Sequence, residues 1–371
     1  MAHRFIVAGG GTAGHIEPAL AVADAIRAKD STAICEFLGT DGGLEKLLVP
    51  QRGYRLRTIP KVVLPRKLSF GVVAFPIRFL TAIVRTLKEV KGADVLVGFG
   101  GYVSTPAYVA AYVRKIPIVV HEANAKPGWA NRLGRRLARI TAVNFAELLH
   151  SWPEAVVTGM PIRASISQVA TLEDKTKFRD LHAQSWGLDP NRPIVAVFGG
   201  SQGSLHINKI ISEYIEKDSN TQIIHAVGIN NPLPQSRKNY LPMPYFHDMA
   251  AIYGSADLLV TRSGAVTCSE LMALGKYAIL IPLPHGNGEQ FTNARVLVES
   301  GAALMVENSQ FTAEWLEANL QKALDNARRF TPKHSSRNHN SAEQLAELAI
   351  GLANGLANGS ANGSNKGAVK H

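Results

Sequence analysis

The feature that most constrains this chain is a repeated grammar: a short apolar run, a glycine or polar turn, then a helical pattern that starts at once. Phe5–Ala8 runs into Gly9-Gly10-Gly11-Thr12-Ala13-Gly14-His15, and Asp94–Val97 into Gly98-Phe99-Gly100-Gly101-Tyr102. Ile194–Phe198 runs into Gly199-Gly200-Ser201-Gln202-Gly203, and the run after Asp257 ends in Thr261-Arg262-Ser263-Gly264. Ile118–Val120 leads to His121-Glu122-Ala123-Asn124, and Ala155–Thr158 to Gly159-Met160-Pro161-Ile162-Arg163. Strands alternating with helices predict parallel, doubly wound α/β sheets. In such sheets ligands bind outside the strands' carboxyl ends, where these turns lie.

At 371 residues the chain is long enough for two domains, each with its own core. The stretch 164–191 is polar and carries Asp189-Pro190, with Arg192-Pro193 just beyond, so it reads as a linker. It separates an N-terminal domain, 1–163, from a C-terminal one, 192–340, in which the same grammar restarts as a second Rossmann-like half. Residues 341–371 hold a possible crossover helix, Ala342–Leu352, and an Ala-Asn-Gly tail whose composition predicts disorder. Further helices are expected at Leu44–Val49, Thr105–Lys115, Trp129–Ala138 and Trp315–Ala327, and one starting near Pro18. Two cysteines, Cys35 and Cys268, make neither a disulfide framework nor a metal spacing, which fits a reducing compartment. The start, MAHRFIVAGGG, lacks a signal-peptide layout, so a cytoplasmic protein is expected.

A net charge of +11 needs an explanation: nucleic acid, an anionic membrane surface or a phosphorylated substrate. No zinc-finger, RNP or helix-turn-helix signature supports nucleic acid. Leu68–Val84 is strongly apolar but interrupted by Pro76 and Arg78, too short to span a bilayer. Lys61, Arg66, Lys67, Arg78, Arg85 and Lys88 surround it. It suits either a core-packing helix with a solvated basic side or an interfacial helix on an anionic membrane.

The densest constellation runs from Asp257 to Asn293. Gly264 precedes a helical pattern carrying Thr267, Ser269 and Glu270, and a second strand leads to Gln290 and Asn293. Helix starts at strand ends suit an anion, phosphate above all. The same residues also suit an ordinary capping box, Thr267-x-x-Glu270, and an ordinary turn at Gly264. In the first loop Gly9, Gly11 and Gly14 satisfy GxGxxG, but no acidic ribose ligand follows at the expected distance and no GK[ST] is present. What remains is a backbone open to close approach, with His15 at its rim.

Taken together, GGGTAGHIEPALAVA, GFGGYVSTPA, HEANAKPGWANR, GMPIR, GGSQGS and RSGAVTCSE…PLPHGNGEQFTNA resemble the MurG family. These are the bacterial transferases that move N-acetylglucosamine from UDP-N-acetylglucosamine onto the lipid-linked muramyl-pentapeptide of peptidoglycan synthesis. The resemblance implies a GT-B fold, two Rossmann-like domains whose parallel sheets face a cleft. It implies inversion at the anomeric carbon and a peripheral place on the cytoplasmic face of the bacterial membrane. No cofactor is implied; a divalent cation is possible, with no protein site evident for it.

Carried over by position, Ser201 and the helix start Ala265, Val266, Thr267, Cys268 and Ser269 would contact the diphosphate, and Glu270 the ribose. Phe246 would lie beside the uracil, Gln290 and Asn293 would read the sugar hydroxyls, and Arg163 would add charge near the phosphates. Thr12, Ala13, Gly14 and Asn124 would face the transferred sugar, Tyr102 would line the acceptor pocket, and His15 would be the general base, with Glu122 as an alternative. The sequence departs from the family pattern at Ala13, where a glycine is expected, at Ala123 and at Met160. The competing readings are a UDP-N-acetylglucosamine 2-epimerase-like isomerase and a non-catalytic sugar-nucleotide sensor.

Overall fold

A computed structural model describes residues 2–62, 70–218, 220–285, 287–332 and 340–355. It divides into two compact units, Met1–Pro161 with Asn340–His371, and Ile162–His339. Arg66, Lys67 and Leu68 of the basic apolar segment, and the tail beyond residue 355, lie outside the described residues.

The first unit holds strands β1 (Arg4–Ala8), β2 (Ile34–Gly39), β3 (Arg55–Thr58), β4 (Val95–Gly98), β5 (Ile118–Glu122), β6 (Ile140–Val143) and β7 (Val156–Val157). Its helices are α1 (Ala13–Lys29), α2 (Glu45–Gln51), α3 (Phe70–Glu89), α4 (Ser104–Val113) and α5 (Trp129–Leu137). The sheet order is β3-β2-β1-β4-β5-β6-β7, every pair parallel. Alternate residues of β1 serve the two faces, as a period of two requires. Phe5 and Val7 join Phe37, Val95 and Val97 in one buried cluster, while Ile6 and Ala8 join Leu38, Leu96 and Val120 in another.

The second unit holds helices α6 (Ala164–Ala170), α7 (Lys175–Ser185), α8 (Leu205–Lys217), α9 (Met249–Ser255), α10 (Ala265–Leu274), α11 (Glu289–Glu299) and α12 (Ala313–Arg329). Its strands are β8 (Ile194–Phe198), β9 (Gln222–Ala226), β10 (Tyr240–Met243), β11 (Leu258–Thr261), β12 (Ala278–Leu280) and β13 (Ala303–Met305). Their order is β10-β9-β8-β11-β12-β13, again parallel throughout. Both sheets therefore wind outward from their first strand and reverse beside it, between β1 and β4 and between β8 and β11. Such a reversal opens a crevice where the two flanking loops diverge.

The expected linker is corrected: residues 164–191 carry α6 and α7 and belong to the second unit. Their few apolar residues fall on one side, so Ile166, Val169 and Ala183 are buried, and Asp174 caps α7 by accepting from the Lys177 N–H. The helix expected near Pro18 begins earlier, at Ala13, with Pro18 inside it. The last helix, α13 (Ser341–Ala353), belongs to the first unit. It sends Leu345, Ala346, Ala349 and Leu352 into the cluster that holds Ala19, Val22, Ala23 and Ile26 of α1.

Candidate functional site

In the first unit the crevice residues come from the turns after β1 and β4. Thr12 is the N-cap of α1 in extended conformation, and its carbonyl accepts from the N–H groups of His15 and Ile16. Its hydroxyl lies 3.0 Å from His15 Nδ1. Burial lowers the half-buried His15 to about 4, against an upward pull from the charge of Glu45. Gly11 has φ +97°, and a Cβ there would stand 2.7 Å from Cε1 of Tyr102, so the two turns interlock only with glycine at this place. Ala13 is the first residue of α1, where a Cβ is compatible with helical geometry; its departure from glycine needs no compensation.

Tyr102 donates its hydroxyl to Glu45 Oε1 at 3.1 Å and lies 3.2 Å from Thr40 Oγ1. At the end of β5, buried Glu122 accepts from the backbone and side-chain N–H of Asn124 and from Gly128 N and Asn131 Nδ2, at 2.9–3.2 Å. Burial pushes its pKa up, and these donors pull it down. Glu122 thus closes the turn that carries Asn124, a structural role rather than that of an open base.

In the second unit the turns after β8 and β11 flank the reversal. Ser204 caps α8, and buried Arg262 donates to Ser204 Oγ at 2.8 Å and to the carbonyls of Ile281 and Pro282 at 3.0 and 3.3 Å. Arg262 therefore ties the glycine turn carrying Ser201 to the end of β12. Gly203 has φ +72°, and a Cβ there would meet the Val227 carbonyl at 1.9 Å. The N-cap of α10 is Gly264, with no side-chain capping bond, and the Cys268 N–H already bonds the Gly264 carbonyl. Helix geometry leaves the N–H groups of Ala265, Val266 and Thr267 without intrahelical partners.

One expectation needs correction. Thr267 is the third helical residue, so the capping box does not form; Glu270 instead accepts from the Tyr253 hydroxyl at 2.8 Å and stands 3.6 Å from the Arg163 guanidinium. The side chains of Cys268 and Ser269 are fully buried. Phe246 is buried edge-on to Phe198, with centroids 6.1 Å apart. Asn293 is fully buried and donates to the Ser263 carbonyl, and Gln290 accepts from Leu283 N through Oε1. Among the described residues no group of three His, Cys, Asp or Glu side chains gathers as a metal site.

Reading the sequence missed the roles of Glu45, Tyr253 and Arg262. Glu45 opens an ordinary amphipathic helix pattern, and its one signal was the glycines at 39 and 43 that leave room for a buried carboxylate. Arg262, a lone cation between an apolar run and a glycine turn, was visible but unassigned.

Residues 5–143 match the glycosyltransferase family 28 N-terminal domain, and residues 194–349 its C-terminal domain. A protein of Corynebacterium diphtheriae is 43% identical over 354 residues, covering 93% of this chain and 96% of that one. It is named UDP-N-acetylglucosamine–N-acetylmuramyl-(pentapeptide) pyrophosphoryl-undecaprenol N-acetylglucosamine transferase. The crystal structure of Acinetobacter baumannii MurG superposes with a TM-score of 0.68 at 24% identity, covering 94% of this chain and 99% of that one. The UDP-GlcNAc 2-epimerase of Neisseria meningitidis superposes at 0.61 and 14% identity over 94% and 100%, a likeness of fold alone. With both domain models matched in order and strong identity sustained across nearly its whole length, the chain belongs to glycosyltransferase family 28.

Proposed function

We propose that this chain moves N-acetylglucosamine from UDP-N-acetylglucosamine to the 4-hydroxyl of undecaprenyl-pyrophosphoryl-muramyl-pentapeptide, converting lipid I to lipid II with inversion. The observation that carries the reading is the 43% identity that runs through both units to a transferase of that name. The geometry agrees with it. In the tautomer whose Nδ1–H donates to the Thr12 hydroxyl 3.0 Å away, His15 keeps a lone pair on Nε2, and its lowered pKa leaves it neutral at pH 7, as a base must be before it takes the acceptor's proton. The unclaimed N–H groups of Ala265, Val266 and Thr267, with Ser201 and Arg163, suit the departing diphosphate; any divalent cation would arrive on the nucleotide itself. Preorganised donors of this kind contribute about 3–4 kcal/mol each where water is excluded. Glu270, held by Tyr253, suits the ribose hydroxyls, and Thr12, Ala13, Gly14, Asn124 and Gln290 suit sugar contacts, with Tyr102 toward the acceptor. The test is transfer of radiolabelled sugar to a lipid acceptor: release or epimerisation of the UDP-sugar without transfer would overturn the reading.

The acceptor's lipid calls for a membrane surface. Among the described residues no helix is long and apolar enough to cross a membrane. On α3, Ile77, Leu80 and Val84 are 73%, 62% and 49% exposed, and Arg78, Arg85 and Lys88 are exposed beside them. Apolar side chains ringed by cations suit peripheral attachment to an anionic leaflet, at about 1 kcal/mol per basic residue near the surface. We assign α3 to the cytoplasmic face of the bacterial membrane. Flotation with anionic vesicles checks this, and binding indifferent to salt and lipid charge would remove the electrostatic part.

A further inference from the structure

Glu45 lies outside every motif that carries the family resemblance, yet it is the most heavily bonded group beneath the first glycine turn. It is fully buried. Oε2 accepts from the Gly11 N–H at 3.2 Å; Oε1 accepts from the Thr40 N–H and hydroxyl at 3.0 Å each and from the Tyr102 hydroxyl at 3.1 Å. Glycines make the room for it: a Cβ on Gly43 would stand 2.1 Å from Oε2, and one on Gly39 2.5 Å from Cγ. All four of these partners are neutral, so none of them cancels the carboxylate's charge.

Burial pushes the Glu45 carboxyl up, but its own N–H, the N–H groups of Gly11 and Thr40 and the Thr40 hydroxyl together outweigh it, and its pKa falls below the usual value. The group is therefore an anion at neutral pH. Its charge acts on His15, where it opposes the lowering caused by burial. The polar side chain bonded to that ring is the Thr12 hydroxyl, 3.0 Å from Nδ1, and the Lys61 ammonium stands 5.2 Å over the ring of Tyr102, a partner of Glu45. A base buried this far from its ordinary pKa gives up its neutral form reluctantly. A fixed negative charge nearby favours the imidazolium at the moment it forms.

We infer that Glu45 is a positioning residue for the acceptor step: its buried carboxylate fixes the Gly11 turn and the Tyr102 hydroxyl together, and supplies the charge against which His15 takes up the acceptor's proton. The inference rests on the reading of His15 as base. The proton moves from the acceptor hydroxyl to His15 Nε2 as that oxygen bonds the anomeric carbon and the carbon–phosphate oxygen bond breaks; Glu45 stays ionised throughout.

The test uses full-length Glu45→Gln and Glu45→Asp proteins, with the lipid acceptor and UDP-N-acetylglucosamine varied separately in brief assays from pH 3 to 9. Glu45→Gln should lower kcat/KM for the acceptor by about 10- to 100-fold, leave the donor KM within about twofold, and move the acid limb of the profile to lower pH. Glu45→Asp should keep the acid limb in place while raising the acceptor KM. A Gln variant whose acid limb does not move, or one that loses donor and acceptor alike, overturns the inference. Should the Gln variant not fold, an Asp variant with the parent's acceptor kcat/KM overturns it equally. His15→Ala separates the two readings. Near-normal turnover there removes the base and this inference with it, whereas an inactive His15→Ala beside an unshifted Gln profile removes Glu45 alone.

Discussion

The two units wind their sheets in the same order, with β7 additional in the first, and carry the same kind of glycine turn beside the reversal, but the buried side chains that tie those turns bear opposite charges. In the first, Glu45 gathers Gly11, Thr40 and Tyr102. In the second, Arg262 gathers Ser204, Ile281 and Pro282. The difference follows from what each turn is proposed to meet. A hydroxyl that must surrender a proton is served by a nearby anion, and a diphosphate that must leave is served by a cation and open N–H groups. On the proposed reading a common backbone sets where ligands go, and Glu45 and Arg262 place opposite charges beneath the two turns.

The largest break expected from this contrast is His15→Ala. It should lower turnover by about 10²–10⁴-fold while UDP binding, measured calorimetrically, stays at the parent value. Arg262→Met should do the reverse, raising the donor KM roughly tenfold and sparing the acceptor KM. It also leaves one hydroxyl and two carbonyls without their donor, at about 1–3 kcal/mol for each one left unsatisfied, which urea unfolding would read. An acceptor-side defect in Arg262→Met would sink the charge contrast.

In acid both units should lose stability, the first more, because His15 there is lowered to about 4 as well. His121 in the first and His225 in the second are buried, and burial lowers each to about 4 from an ordinary 6.5. The unfolded chain then binds more protons than the folded one between those values. Stability is full above pH 6.5 and falls as pH drops toward 4, at about 1.4 kcal/mol per unit for each histidine. Urea midpoints at pH 7, 6 and 5 measure this, and replacing either residue by Asn should flatten the slope in part. The smallest effect belongs to the first unit only: Ile77→Asp should weaken binding to anionic vesicles roughly tenfold and leave turnover on a detergent-dispersed acceptor unchanged.

The parallel sheets were legible because buried strands such as Phe5–Ala8 and Ile194–Phe198 are continuous apolar runs closed by glycine, the strongest local signal a chain offers. Strand β3, reading Arg-Leu-Arg-Thr at the sheet edge, gave no such run; its arginines pair with Glu36 and Glu89 instead. Helices α6 and α7 were hidden because three buried apolar residues suffice to dock them. At the site, the turns and their positions could be read, but not which way each side chain faces. Asn293 and Phe246, both expected at the donor, are buried, Asn293 bonded to the Ser263 carbonyl and Phe246 edge-on to Phe198. Glu45 could not be found by pattern, since its role depends on Tyr102 and Gly11 meeting it from distant parts of the chain.

The membership of α13 in the first unit has a bearing on how the protein is made. Synthesis delivers Met1–Pro161 first, then the whole of the second unit, and only then the residues that complete the first unit's core. A nascent chain therefore carries an unfinished apolar groove over α1 while its second unit is already able to fold, the reverse of the usual order of domain completion on the ribosome. A stop codon near residue 340 would accordingly damage the half of the molecule that was translated first.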